Sequence, residues 1–288
     1  MRRRATPYLL LAPALAFVTL LFVIPLLYNL VISFFDWSVI RTPTFIRLEN
    51  YQRVWTSARF LAVVKNTVTF SLLSVPAAVV ISLLVAMGFH SLGNSRGSSV
   101  LRALYFAPVV ASLTAVSYVW VWIYHPSYGL ANALLNGLGR PGLDWLTSPT
   151  QVLPSLAVMY IWARIGFNAI ILLAGINAID GTYYEAARID GASRFQQFRN
   201  ITLPLLNRQL VLVITVEVMN TLKIFELPFA ATKGGPVGAS RSVVMEVYEQ
   251  AFRFDRWGQS AVYVVTLFVG IMVITGVLRR LLVRDISE

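Results

Sequence analysis

Six polar side chains interrupt stretches of this chain that are otherwise hydrocarbon: Arg164, Asn168, Glu217, Asn220, Lys223 and Glu226. An ionisable group at membrane depth is expensive unless it faces a cavity or a partner. Arg164 and Asn168 are four residues apart and share one helix face. Glu217, Asn220, Lys223 and Glu226 follow one another at steps of three. At about 100° per residue that row turns through roughly 180°, so it cannot form one narrow stripe. Lys223 and Glu226 suit a pair at i, i+3. Asn168, Glu217 and Asn220 then remain to line a polar route and hydrogen-bond hydroxyl groups, with interhelical polar contacts as the structural alternative. Other chemistry is missing. There is no cysteine, and the two histidines, His90 and His125, stand at the ends of apolar runs, so neither a thiolate nor a histidine metal cluster is available. No G-x-x-x-x-G-K-[ST], H-E-x-x-H, G-x-S-x-G or EF-hand loop occurs. We expect no catalytic residue, no metal site and no cofactor bound by this chain.

The elements that carry these residues are apolar helices. Of 288 residues, 57% are hydrophobic and 13% charged, against about 25% charged in soluble domains, and mean hydropathy is +0.68. Segments 5–35, 66–89, 103–124 and 257–278 hold no Asp, Glu, Lys or Arg, and each is long enough to cross about 30 Å of hydrocarbon as a helix. Six spans fit best, near 8–34, 67–89, 104–124, 153–177, 209–227 and 257–281. The fold class is therefore all-α integral membrane, with residues 8–281 as one six-helix domain between an N-terminus at 1–7 and a tail at 282–288. The first apolar run continues too far past its small-residue site to be a cleaved leader, so it reads as a retained span. Net charge is +11; because the charges lie between apolar runs, they suit anionic lipid headgroups rather than nucleic acid. Arg2, Arg3 and Arg4 at one end and Arg279, Arg280 and Arg284 at the other point to both termini being cytoplasmic. Trp37, Trp55, Tyr124, Trp145 and Trp257 suit an interfacial belt.

One polar segment, 183–206, is wedged between two apolar runs. Thr182 and Glu185 have capping-box spacing, which predicts a helix from Tyr183 with Glu185 as its reciprocal cap. Gly191 supplies a left-handed C-terminal stop. Ser193 and Gln196 form a second capping box, opening a helix that Pro204 closes or redirects. Phe195 and Phe198, with Ile201 or Thr202, make an apolar stripe at i, i+3 spacing. Ala186 and Ala187 leave room for a close-approaching surface. A helix lying on the bilayer is the alternative to docking.

The spacing Glu185-Ala186-Ala187, Gly191 and Ile201-Thr202-Leu203-Pro204 resembles the EAA loop of bacterial importer permeases of the ATP-binding-cassette (ABC) class. Pro7-Tyr8-Leu9-Leu10 with Ala12-Pro13, Leu48-Glu49-Asn50-Tyr51, Pro126 with Gly129, Asn132 and Leu135, and Phe225-Glu226 with Thr232-Lys233-Gly234-Gly235-Pro236 resemble elements of the carbohydrate-uptake branch, the maltose and glycerol-3-phosphate type. Two departures are Arg47, where a glycine is usual, and Glu226, where aspartate is common. The resemblance implies a type I ABC importer permease fold whose 183–206 loop is a cytoplasmic coupling helix. It assigns ATPase coupling to Tyr184, Glu185, Ala186, Ala187, Asp190, Gly191, Phe195, Leu203 and Pro204. It implies a cytoplasmic ATPase dimer carrying ATP and Mg, a second six-helix permease in a heterodimer, an extracytoplasmic solute-binding protein, alternating access and a place in the bacterial inner membrane. Trp120, Trp122 and Trp162 would then stack on a sugar or else pack against helices and lipid. An ion-coupled secondary transporter using Glu217, Lys223 and Arg164, and an ABC permease for a non-sugar solute such as glycerol-3-phosphate, are the competing functions.

Overall fold

A computed structural model describes residues 6–93 and 96–282. Arg2, Arg3, Arg4 and Arg284, on which the orientation partly rests, lie outside the described residues, as do most of segments 1–7 and 282–288. In chain order the helices are α1 (Thr6–Val18), α2 (Ile24–Ile32), α3 (Glu49–Trp55), α4 (Ala58–Ser91), α5 (Arg96–Val110), α6 (Leu113–Ile123), α7 (Leu130–Gly137), α8 (Val152–Asn177), α9 (Gly181–Ile189), α10 (Arg194–Gln197), α11 (Leu203–Leu205), α12 (Asn207–Leu222), α13 (Glu226–Thr232), α14 (Val243–Tyr248) and α15 (Trp257–Leu282). A two-stranded antiparallel ribbon pairs β1 (Phe35–Asp36) with β2 (Thr44–Phe45). Among the described residues four helices are long and apolar enough to cross a membrane, and six spans result when each of two bent pairs counts as one.

The helix boundaries correct two expectations. The third span, read from its lack of charge as one helix over 104–124, turns by 102° between α5 and α6. Pro108 lies in the last turn of α5, where it removes a backbone donor. Ser112 then adopts extended φ/ψ and accepts from the Ala115 N–H, starting α6. The fifth span, expected over 209–227, ends at Leu222, and α13 starts afresh at Glu226. Lys223 and Glu226 therefore lose the helical i, i+3 spacing, and no ion pair joins them among the described residues.

The chain divides into two compact units. One contains the segment through Leu61 and Val243–Val269. In it, Asn50 donates to the Ser33 and Phe35 carbonyls at 3.0 and 2.8 Å. Arg59 lies 2.6 Å from both Glu246 and Glu249, which are buried. Asp255 accepts from Ser38 Oγ and the Val39 N–H, bonds that hold its carboxyl below the usual range.

The other unit, Ala62–Ser242 with Gly270–Glu288, carries the candidate site. Lipid tails are as apolar as leucine, so close packing and polar contacts, rather than escape from water, hold such helices together. Accordingly α4 buries a stripe of small residues, Ser71, Ser74, Ala78 and Ser82. Val79, Phe89, Leu172, Ile176, Leu206 and Val213 fill one core, and Phe70, Leu156, Tyr160, Ile224 and Leu227 a second. At Gly166 the backbones of α5 and α8 nearly touch: a Cβ there would lie 2.0 Å from the Tyr105 carbonyl oxygen. That contact fixes the part of α8 that holds Arg164 and Asn168.

Candidate functional site

The first element of the site is the loop after α8. Asp180 is the N-cap of α9, with its carboxylate accepting from the Thr182 N–H at 2.9 Å. This corrects the expected Thr182–Glu185 box. A carboxylate beside four free N–H groups makes a charge-assisted cap that a threonine hydroxyl does not match, so the helix starts at Gly181 instead of Tyr183. Bonds from Thr182 hold the Asp180 carboxyl below its ordinary value. Glu185 is left exposed in the middle of α9, with no hydrogen-bond partner among the described residues. It therefore does not act as an N3 cap.

The stop and the restart form as expected. Gly191 has φ +77°; its N–H donates to Arg188, and the Ala192 N–H donates to Ala187 at 2.8 Å. Those two bonds make a Schellman motif, which needs a residue able to sit in the left-handed region. Ser193 and Gln196 then bond each other's backbone N–H in a complete capping box. A π-helical turn, Phe198–Thr202, leads into α11, with Pro204 in its first turn. Between α11 and α12 the chain bends by 68°. Tyr184 Oη lies 2.9 Å from Thr202 Oγ1, tying the outgoing helix to the returning one.

This loop shows an uneven apolar surface. Ile189 is 87% exposed, Phe195 69% and Tyr183 56%. Tyr183, Ala186 and Ile189 follow at i, i+3, i+6, so a small residue stands between two large ones on adjoining faces. Ala186, Asp190, Leu203 and Pro204 are exposed too, whereas Tyr184 and Ala187 are half-buried. Tyr183 and Ile189 were not among the sequence-derived coupling residues. Their signal was the flanking of the alanine pair by two large apolar side chains on a short polar helix.

The second element lies among the spans. Glu217 is fully buried; it accepts from Tyr160 Oη at 2.6 Å and from Arg164 Nε at 3.0 Å. Arg164 also lies over the Phe167 ring, 5.1 Å from its centroid. The two opposite charges in α8 and α12 thus cancel each other, which is how both spans carry them. Beside the pair is a cavity of about 340 Å³ lined by Tyr160, Arg164, Asn220, Lys223, Ile224 and Glu226 along with Leu113.

Asn168, Glu217 and Asn220 were expected to share one lining, and only Asn220 stands in it. Glu217 is sealed behind Tyr160 and Arg164. Asn168 is fully buried away from the cavity, with neither side-chain polar atom bonded among the described residues. The cavity residues missing from the sequence-derived set are Tyr160, Arg164, Lys223 and Glu226. An Arg and a Glu facing each other from two otherwise apolar spans were the available sign. Trp120 and Trp162 meet edge to face at 5.9 Å, and Trp122 points outward, 71% exposed.

Apolar spans around a charged cavity, with a structured loop held outside them, define the class: a membrane-spanning transport permease. The chain belongs to the family of binding-protein-dependent transport system inner membrane components, whose pattern its residues 55–288 match. It is 31% identical to the sulfoquinovosyl glycerol transport system permease protein of Agrobacterium fabrum, over 97% of this chain and 91% of that one. It is 32% identical to the trehalose/maltose transport system permease protein of Thermococcus litoralis, over 90% and 88%. Its fold matches a chain in the crystal structure of a bacterial ABC transporter involved in the import of the acidic polysaccharide alginate, at TM-score 0.85 and 22% identity, covering 100% of this chain and 98% of that one. The protein is thus an ABC transporter permease subunit with the type I importer fold. An ion-coupled secondary transporter is not favoured.

Proposed function

We propose that this chain forms half of a sugar-import passage in a bacterial inner membrane and receives its power stroke through residues 181–206 from a separate ATPase. The exposed row Tyr183–Ala186–Ile189, ended by the Schellman stop at Gly191, carries this reading. A rigid short helix with a notch between two apolar knobs suits a groove on another protein better than a featureless bilayer surface. Glu185, free of any capping duty, is available to that partner. On this reading the loop is cytoplasmic, both termini lie on the same side, and ATP and Mg are held by the partner. A second permease completes the passage, and an extracytoplasmic binding protein delivers the solute. The chain itself performs no catalysis.

Sugar is the substrate class favoured by the relatives' own substrates, a trehalose/maltose pair and a sulfoquinovosyl glycerol. The cavity chemistry agrees: Asn220 and Lys223 offer donors, Glu226 an acceptor and Tyr160 an aromatic edge. Closure of the ATPase dimer would push on α9, and α12, which follows the bend at Leu206, would carry the movement to the cavity. In complexes reconstituted into liposomes, Gly191→Pro should leave ATP hydrolysis running while uptake falls, because proline cannot adopt φ +77°. Normal coupled uptake in that variant would refute the reading.

A further inference from the structure

Helices α12 and α15 border a groove of about 570 Å³ that belongs to neither element of the site. They run antiparallel, because Asn207 at the start of α12 donates to the Leu282 carbonyl at the end of α15, at 2.9 Å. Arg208 and Arg279 therefore stand at the same end of the groove, and both are exposed. Beyond them the walls are largely apolar, with Leu212 and Met219 on one side and Met272 on the other, and the hydroxyls of Thr215 and Thr275 are the remaining polar groups of the lining. From Arg208 to Met219 the wall extends about 17 Å at the helical rise per residue. Thr275 turns its hydroxyl back to the Ile271 carbonyl at 2.7 Å, so it offers the groove little polarity. Gly276 leaves the floor open, since a Cβ there meets nothing within 4 Å. Among the described residues, no acidic side chain lines the groove.

We propose that this groove binds an anionic phospholipid, with the phosphate between Arg208 and Arg279 and an acyl chain along Leu212, Met219 and Met272. Charge complementarity selects this occupant. Two cations without an acidic neighbour in the lining draw an anionic headgroup, and guanidinium groups match phosphate oxygens in geometry. A sugar would find only two threonine hydroxyls beyond the arginines, one of them already turned to its own helix, and an apolar helix would leave both cations unanswered. A headgroup there sits within two residues of Leu206, where the loop of the candidate site rejoins the span.

Native mass spectrometry of the full chain, purified with equal phosphatidylglycerol and phosphatidylcholine, tests this. Wild type should retain phosphatidylglycerol and lose phosphatidylcholine. The double variant Arg208→Gln/Arg279→Gln should weaken retention by about tenfold or more. Gly276→Leu should also exclude the lipid with both arginines intact, and it should fold, because its side chain enters open space. Arg140→Gln, in a separate exposed loop, should retain lipid as wild type does. Equal retention of the two lipids, or wild-type retention in either groove variant, overturns the proposal. Release of the lipid by inorganic phosphate, beyond that caused by chloride at the same ionic strength, also overturns it. In the assembled transporter, a photoreactive probe on Met272→Cys should label phospholipid; exclusive labelling of a protein chain would mean that a subunit covers the groove.

Discussion

Glu217 keeps a buried negative charge because two donors from one helix converge on it, Tyr160 and Arg164. Burying such a pair brings little net stability, but leaving one half of it alone costs about 3–5 kcal/mol. Arg164→Met should therefore lower the thermal midpoint markedly, because it strands the fully buried Glu217, and Glu217→Leu less so, because the Arg164 it leaves unpaired retains partial access to the cavity. The double variant should be more stable than Arg164→Met alone. Strictly additive losses in thermal unfolding would show that the two charges do not rely on each other. One turn further along α12, Asn220 faces the cavity, with no side-chain hydrogen bond among the described residues. If it hydrogen-bonds a passing hydroxyl, Asn220→Ala removes about 0.5–1.5 kcal/mol, seen as a several-fold rise in the apparent KM for uptake with ATPase coupling intact. An unchanged KM and rate would remove Asn220 from the passage.

At the scale of the element, each end of the loop is set by one residue. Asp180 caps α9, and its carboxyl is held below the ordinary 3.8 by the Thr182 bonds. A lowered value in the folded state means that its stabilisation is complete above about 3.8 and fades as the pH falls toward the lowered value. Hydrogen exchange at residues 182–185 should show protection that is constant at neutral pH and drops only in that acidic window. Asp180→Ala should lack the protection throughout, and equal protection in the two proteins would contradict the cap. Sequence reading found Gly191 and the Ser193–Gln196 box because both are short-range signals. It missed Asp180 because Thr182–Glu185 offers a competing pattern two residues later, and the stronger acceptor wins. It placed the fourth and sixth spans within a residue at each end, since hydropathy reports length and charge, but it began the second nine residues late and ran the fifth five residues past Leu222. It missed the 102° bend in the third, because Pro108 and Ser112 change backbone direction without changing hydropathy. The Arg164–Glu217 pair was only half legible: both residues stood out, but their 53-residue separation hid that each answers the other.

For the whole molecule, family membership and fold agree on a permease subunit, and the proposed function adds a motor that attaches at 181–206. The absence of cysteine makes that claim direct to test, because a single introduced thiol is unique in the chain. Ile189, the more exposed of the two large apolar side chains that flank Ala186, at 87%, is the position to choose. Ile189→Cys carrying a benzophenone label should be irradiated in the reconstituted transporter, with and without ATP. The account predicts one dominant cross-link, to the ATPase subunit, with a yield that changes when nucleotide closes the dimer. Cross-linking to lipid alone, with no ATPase adduct in either state, would contradict it.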